Sequence, residues 1–187
     1  KNWSDYDQIH SLVQSVTRGA SELFDVVRSH VDCFIQSEMG GGTLCAESSH
    51  CEHHVRALIG KHIVYGKIDR TVQTSGGIWE IIEYNTDDIG ISSISDRISF
   101  YQTQIELKAL LANRLFADQE FLSATIFFTR TGYSHCFKFN FSDLEEVEAR
   151  WTKYIGDIQD GEFMPGQKGC LMCIGSNDLQ CLNQFRL

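Results

Sequence analysis

Two cysteines and four of the seven histidines fall between Thr43 and His62, in the run TLCAESSHCEHHVRALIGKH. Cys45, His50, Cys51 and His54 are ligand types that zinc prefers. The stretch Gly169-Cys170-Leu171-Met172-Cys173 adds a C-x2-C pair, and Cys181 follows. Thiolates of Cys170, Cys173 and Cys181 could complete a site with the histidines. The spacing argues against it, because the run itself lacks the paired C-x2-C and H-x3-5-H pattern of a closed structural site. No cofactor is therefore expected, and zinc on these residues is the alternative. Cys51 at a helix start would be an activated nucleophile, but no histidine in its own turn could serve as base. His135 and Cys136 are adjacent on a predicted strand and so face opposite sides.

Other chemistry-bearing motifs are missing. Gly40-Gly41-Gly42 precedes no Lys-Ser/Thr, so it is not a phosphate-binding loop. Asp87-Asp88 sits in a predicted loop without EF-hand spacing. No G-x-S-x-G appears, and no pair of catalytic carboxylates is evident in the pattern. Glu145, Glu146 and Glu148 line the polar face of a predicted helix, with Asp157 and Asp160 beyond it. They are either a solvated face or a docking surface for a basic partner.

The elements that must position these residues read as follows. Apolar residues from Ile9 to Ile35 recur at helical spacing, which predicts one long helix or two stacked ones over Ser4–Gln36. MGGGT ends it, so residues 1–40 form an N-terminal helical segment with a stripe that could pack on the sheet or on a second copy. Ser48 or Ser49 caps a predicted helix through Ile59. HIVYGKIDRTV and IWEIIEYN form a hairpin, with Trp79, Ile81 and Glu83 on one face of the second strand. Ser95 caps a helix through about Asp118. FLSATIFFTR and YSHCFKFNF form a second hairpin, with Phe137, Phe139 and Phe141 pointing one way. Ser142 to Glu145 reads as a capping box for a helix that ends at Gly156 and buries Trp151. Residues 157–187 are a cysteine-bearing tail. The expected fold is one α+β domain over 1–187, with an antiparallel sheet from two hairpins and helices packed on it, in the order α-(α)-ββ-α-ββ-α.

Composition narrows the function. The chain has 187 residues, 42% of them hydrophobic, and a net charge of −9. No apolar run approaches a membrane span, so no membrane association is expected. An acidic chain without Lys/Arg clusters is not expected to bind nucleic acid. Seven cysteines, an odd number, fit a reducing, cytoplasmic compartment.

The second half, from Lys61 to Gly156, resembles YezG-like bacterial immunity (antitoxin) proteins. The matching features are the helix leading into FLSATIFFTRTGYSHCFKFNF and the acidic-capped helix ending Arg150-Trp151-Thr152-Lys153-Tyr154-Ile155-Gly156, with HIVYGKIDRTVQTSGGIWEIIEYN before them. The resemblance implies a non-enzymatic inhibitor that neutralises a basic toxin-like protein, with the acidic residues above as contacts. A Cys/His metal-binding or redox-sensing regulator is the alternative, and a cysteine-dependent enzyme the third.

Overall fold

The computed structural model describes residues 6–18, 20–44, 46, 48–74, 76–87, 94–116 and 121–162. The expected N-terminal helix is two helices, α1 (Tyr6–Thr17) and α2 (Ser21–Gln36). The break comes at Arg18, whose φ is +52, and Thr17 closes α1 by donating its hydroxyl to Val13 O at 3.0 Å. The glycines do not end the helical segment. They lie inside a third helix, α3 (Glu38–Leu44), because Ser37 Oγ accepts the Gly40 N–H at 3.0 Å as a cap. Glycine is required there, since a β-carbon on Gly40 would fall 2.0 Å from Phe34 O.

The predicted helix over 48–59 is instead strand β1 (Ser48–Ile59). The serines suggested a cap, but Val55, Ala57 and Ile59 alternate with exposed residues at period two and are all buried. Gly60, at φ +56, makes the tight turn into β2 (His62–Gln73), pairing Ile59 with His62. β2 then pairs antiparallel with β3 (Trp79–Asn85), the first of the two expected hairpins.

Helix α4 (Ile94–Leu115) crosses over to β4 (Phe121–Phe128), which lies parallel to β3. Ser95 falls within the first turn of α4. β5 (Tyr133–Asn140) closes the second hairpin. The sheet order is β1-β2-β3-β4-β5. It is mixed rather than wholly antiparallel, and the fold class is α+β.

Helix α5 (Phe141–Gln159) begins two residues earlier than expected. The capping box is Asn140 with Asp143: Asn140 Oδ1 accepts Asp143 N–H, and Asp143 Oδ2 accepts Asn140 N–H, both at 2.9 Å. Phe141 thereby leaves the strand and is exposed. The helix continues past Gly156 to Gln159.

The main core lies between one sheet face and α4 with α5. It holds Ile59, Ile68, Ile81, Ala109, Leu110, Leu111, Ala124, Ile126 and Phe128, with Leu144 and Val147 from α5. Trp151 packs against it half-buried. The other face carries α2, where Phe34 meets Tyr84 and Phe127 edge-on at 5.3 Å each. Among the described residues no helix is long and apolar enough to cross a membrane.

Candidate functional site

β2 and β3 stop pairing as a regular ladder after Arg70–Ile82. The next pair in that register is Asp69 and Glu83, two carboxylates directly opposed, an arrangement that destabilises a sheet unless something compensates. Here each carboxylate takes a backbone N–H of the other strand. Asp69 N–H donates to Glu83 Oε1 at 3.2 Å, and Tyr84 N–H donates to Asp69 Oδ2 at 3.1 Å. Side chains thus replace the ladder where the strands part.

Lys108, from the middle of α4, donates to Glu83 Oε2. The Glu83 side chain is buried, at 7% exposure, and that of Lys108 is mostly covered, at 14%. Burial pushes the Glu83 carboxyl up to about 7; the Lys108 hydrogen bond opposes the rise and Asp69 adds to it. Among the described residues nothing bonds Asp69 Oδ1.

The same cross-strand row extends to β1. The pairs Cys51–Arg70 and His53–Ile68 flank a gap in the ladder at Glu52 and Asp69. Glu52 holds φ +55 in mid-strand, a conformation rare for a side chain with a β-carbon. The burial alternation slips at this level. Below it Ile68 faces the core, and above it Thr71, three residues on, does. Glu52 Oε2 accepts from Lys67 at 2.5 Å. That bond holds the Glu52 carboxyl below its ordinary range, with weaker help from His54 and Lys108.

At the C-terminal end of β3, Asn85 Oδ1 accepts the Asp87 N–H at 2.7 Å. Asp87 Oδ2 accepts the Tyr101 hydroxyl at 2.5 Å, with Arg97 3.8 Å away. Helix α4 thus meets β3 at two levels, with Lys108 at Glu83 and Arg97 and Tyr101 at Asp87 beyond the strand end.

The expected site residues fall elsewhere. His50, Cys51 and His54 are on strand β1, not at a helix start, so the helix-terminus activation expected for Cys51 has no basis. Cys45, Cys170, Cys173 and Cys181 lie outside the described residues. Among the described residues no three His, Cys, Asp or Glu side chains converge as a metal-binding group. Of the acidic set, Glu148 pairs with Arg114 and Asp157 with Lys153, each at 2.5 Å, while Glu145, Glu146 and Asp160 are exposed.

Asp69 and Lys108 escaped the pattern analysis, and Glu83 was placed only as a facing residue. The available signal was weak: Asp69 sits among polar residues in Lys67-Ile68-Asp69-Arg70-Thr71, and only Glu83, after Ile81-Ile82, breaks an apolar run. A cavity of about 510 Å3 opens on the opposite sheet face, lined by Val27, His30, Phe34, Tyr84 and Thr129 among others. Its walls are apolar, and the carboxylates do not reach it.

No family model matches the chain, and no curated protein matches it. Solved structures similar to it include SSO0001, at 16% identity and a TM-score of 0.47, covering 95% of this chain and 78% of that one. A second is a Eubacterium rectale protein described as a "Putative exonuclease", at 14% identity and a TM-score of 0.48, covering 86% of this chain. The chain spans 62% of that second protein's length. Similarity at this level says nothing about activity.

Proposed function

We propose that this chain is a divalent-cation-dependent hydrolase of phosphate diesters, with a nucleic-acid strand as substrate. The observation that carries the reading is the opposed pair Asp69 and Glu83 at the parting of β2 and β3, with Lys108 over Glu83. Carboxylate oxygens suit a hard cation such as Mg2+ or Mn2+; Asp69 Oδ1 is open to one, and Glu83 would join it by exchanging Lys108 on Oε2 for the cation. Two carboxylates fill only part of an octahedral shell, and in such sites water and substrate phosphate oxygens complete it. When bound, the cation supplies Lewis acidity toward a phosphoryl oxygen and makes water a nucleophile near neutral pH.

The protein's own groups divide the remaining work. Asp69 offers Oδ1 while its Oδ2 is fixed by Tyr84 N–H, so the ligand is oriented before anything binds. Glu83 is fixed in the same way through Oε1. Lys108, released from Glu83, would bring a positive charge to the substrate's phosphoryl oxygens. The overall charge of −9 does not govern this spot. Lys67 pairs with Glu52 and Lys108 with Glu83, so two of the three carboxylates in the row are balanced locally. The acidic face considered for a toxin-like partner gains no support from the geometry, since two of its five carboxylates are already paired within the chain.

Labelled single-stranded and duplex oligonucleotides, incubated with the purified chain and Mg2+ or Mn2+, test the reading. Cleavage is expected with metal and not with EDTA, and Asp69→Ala or Glu83→Gln should slow it roughly a hundredfold or more. No metal-dependent cleavage, or cleavage unchanged in Asp69→Ala, overturns it.

A further inference from the structure

We infer that His50 is the outer ring of a base-stacking platform that holds an unpaired nucleotide beside the phosphate handled by Asp69 and Glu83. This rests on the phosphodiester reading and names the part of the substrate that the carboxylates do not touch.

Three rings from three elements form one stack. Trp79 of β3 lies against Phe116, just beyond α4, with centroids 4.3 Å apart and planes 7° from parallel. His50 of β1 continues the stack on Trp79 at 5.9 Å and 23°. His53 adjoins His50 at 5.6 Å, tilted by 55°. Phe34 meets Tyr84 at 88° and Phe127 at 80°, edge to face, while Phe137 and Phe139 stack at 16° but with centroids 6.5 Å apart. The Phe116–Trp79 pair is the closest of the parallel pairs among the described residues, and the stack built on it ends at His50, an exposed residue.

The stack lies on the sheet face that carries the carboxylates. Trp79, Ile81 and Glu83 alternate onto the α4 side of β3, and Thr71, the cross-strand partner of both His50 and Ile81, is fully buried between them. Helix α4 runs along β3 in the opposite direction. Lys108 sits over Glu83 and Phe116 over Trp79. Eight residues of helix rise about 12 Å, and four residues of strand about 13 Å. On β1, His50 stands one strand and two residues from Asp69, about 8 Å between backbones. That places the base of the scissile nucleotide, or of its neighbour, within reach of the ring.

A nucleobase is the occupant these features favour. It is flat, it stacks on exposed rings without regard to sequence, and it is tethered to the phosphate that the adjacent groups would bind. A base inside a duplex already stacks on its neighbours, so the platform selects single strands.

The test measures binding of a short labelled oligothymidylate to the Glu83→Gln chain, which prevents turnover, and compares His50→Ala and His50→Phe in the same background. An oligomer with abasic residues keeps the phosphates and removes the bases. His50→Ala should weaken oligothymidylate binding roughly tenfold, His50→Phe should restore it, and the abasic oligomer should bind both variants alike. Equal binding of oligothymidylate by the parent and His50→Ala overturns the platform, even if the wild-type chain cleaves nucleic acid. The same holds if the abasic oligomer loses as much as oligothymidylate on His50→Ala. Absence of metal-dependent cleavage by the wild type instead removes the reading beneath it.

Discussion

Glu83 makes the stability of the fold depend on pH in a direction opposite to that of most carboxylates. Its carboxyl titrates at about 7 in the folded chain, against 4.5 as the ordinary value. A raised carboxyl binds its proton more tightly folded than unfolded. The stability it confers is therefore present below pH of about 4.5 and lost as pH rises through about 7. The difference, 7 minus 4.5, is worth about 3 kcal/mol, most of which falls between about pH 5 and about pH 8. Screening does not reduce this much, because Glu83 is only 5% exposed. Urea unfolding of the wild type and of Glu83→Gln at the two pH values checks it. Removing the partner of Lys108 shifts the variant's absolute stability, so the readout is the change in the difference between the two proteins. The wild type should lose roughly 2–3 kcal/mol more than the variant on going from the acidic to the alkaline condition. Parallel pH profiles would refute a desolvated Glu83. Added Mg2+ should then stabilise the wild type more at about pH 8 than at about pH 5, since the ionised carboxylate is the ligand form.

Two further outcomes follow from particular side chains. Glu52→Gly should raise the unfolding midpoint by about a few degrees, because glycine holds φ +55 without a β-carbon clash and the exposed Lys67 pair contributes little; a lower midpoint in a thermal scan would show that Glu52 is not strained. Trp151→Ala should cost about 3 kcal/mol, the low end for a large aromatic that is only half-buried, while Trp151→Phe should cost less than about 1 kcal/mol, because the indole Nε1 is buried without a partner among the described residues; equal costs in denaturant unfolding would show that the indole N–H is satisfied.

The longer helices and both expected hairpins were legible because their signals are local. The apolar period of α2 and the Phe alternation of β5 each lie within one element, whereas the glycines of α3 and the serine before α5 pointed to the wrong ends. β1 was misread because two serines mimic a helix cap and the strand's irregularity at Glu52 hides its alternation until Val55. The parallel β3–β4 pair has no local signal, since nothing in IWEIIEYN or FLSATIFF states which strand it meets. The candidate site was illegible for the same reason. Asp69, Glu83 and Lys108 are spread over forty residues of chain, and only the register of β2 on β3 and the crossover of α4 bring them together. The cysteines and histidines drew the eye because they are close in sequence, and sequence proximity is a poor guide to a site assembled across a sheet.

A buried ion pair alone would not mark a functional site, and the fold supplies its own control. Glu106 on α4 accepts from Arg150 of α5 at 2.7 Å and from Gln102 at 3.0 Å, with its side chain 11% exposed. That pair ties two helices together on regular backbone, with one carboxylate and one guanidinium, and a structural role accounts for it. The row Glu52, Asp69, Glu83 differs in three ways at once. It holds a left-handed residue in mid-strand, two carboxylates opposed across a ladder that opens to admit them, and a carboxyl whose ionisation is opposed by burial. Each costs stability. A sheet indifferent to function could relieve each by one substitution, such as glycine at 52 or a neutral residue at 69 or 83. The two carboxylate costs, side by side on adjacent strands with Lys108 over Glu83, are what a bound cation would offset, and the left-handed Glu52 lies at the same level of the sheet. A divalent cation with its phosphate would neutralise the opposed carboxylates and favour the ionised form of Glu83, which links the stability test on Glu83 to the cleavage test on the same residue.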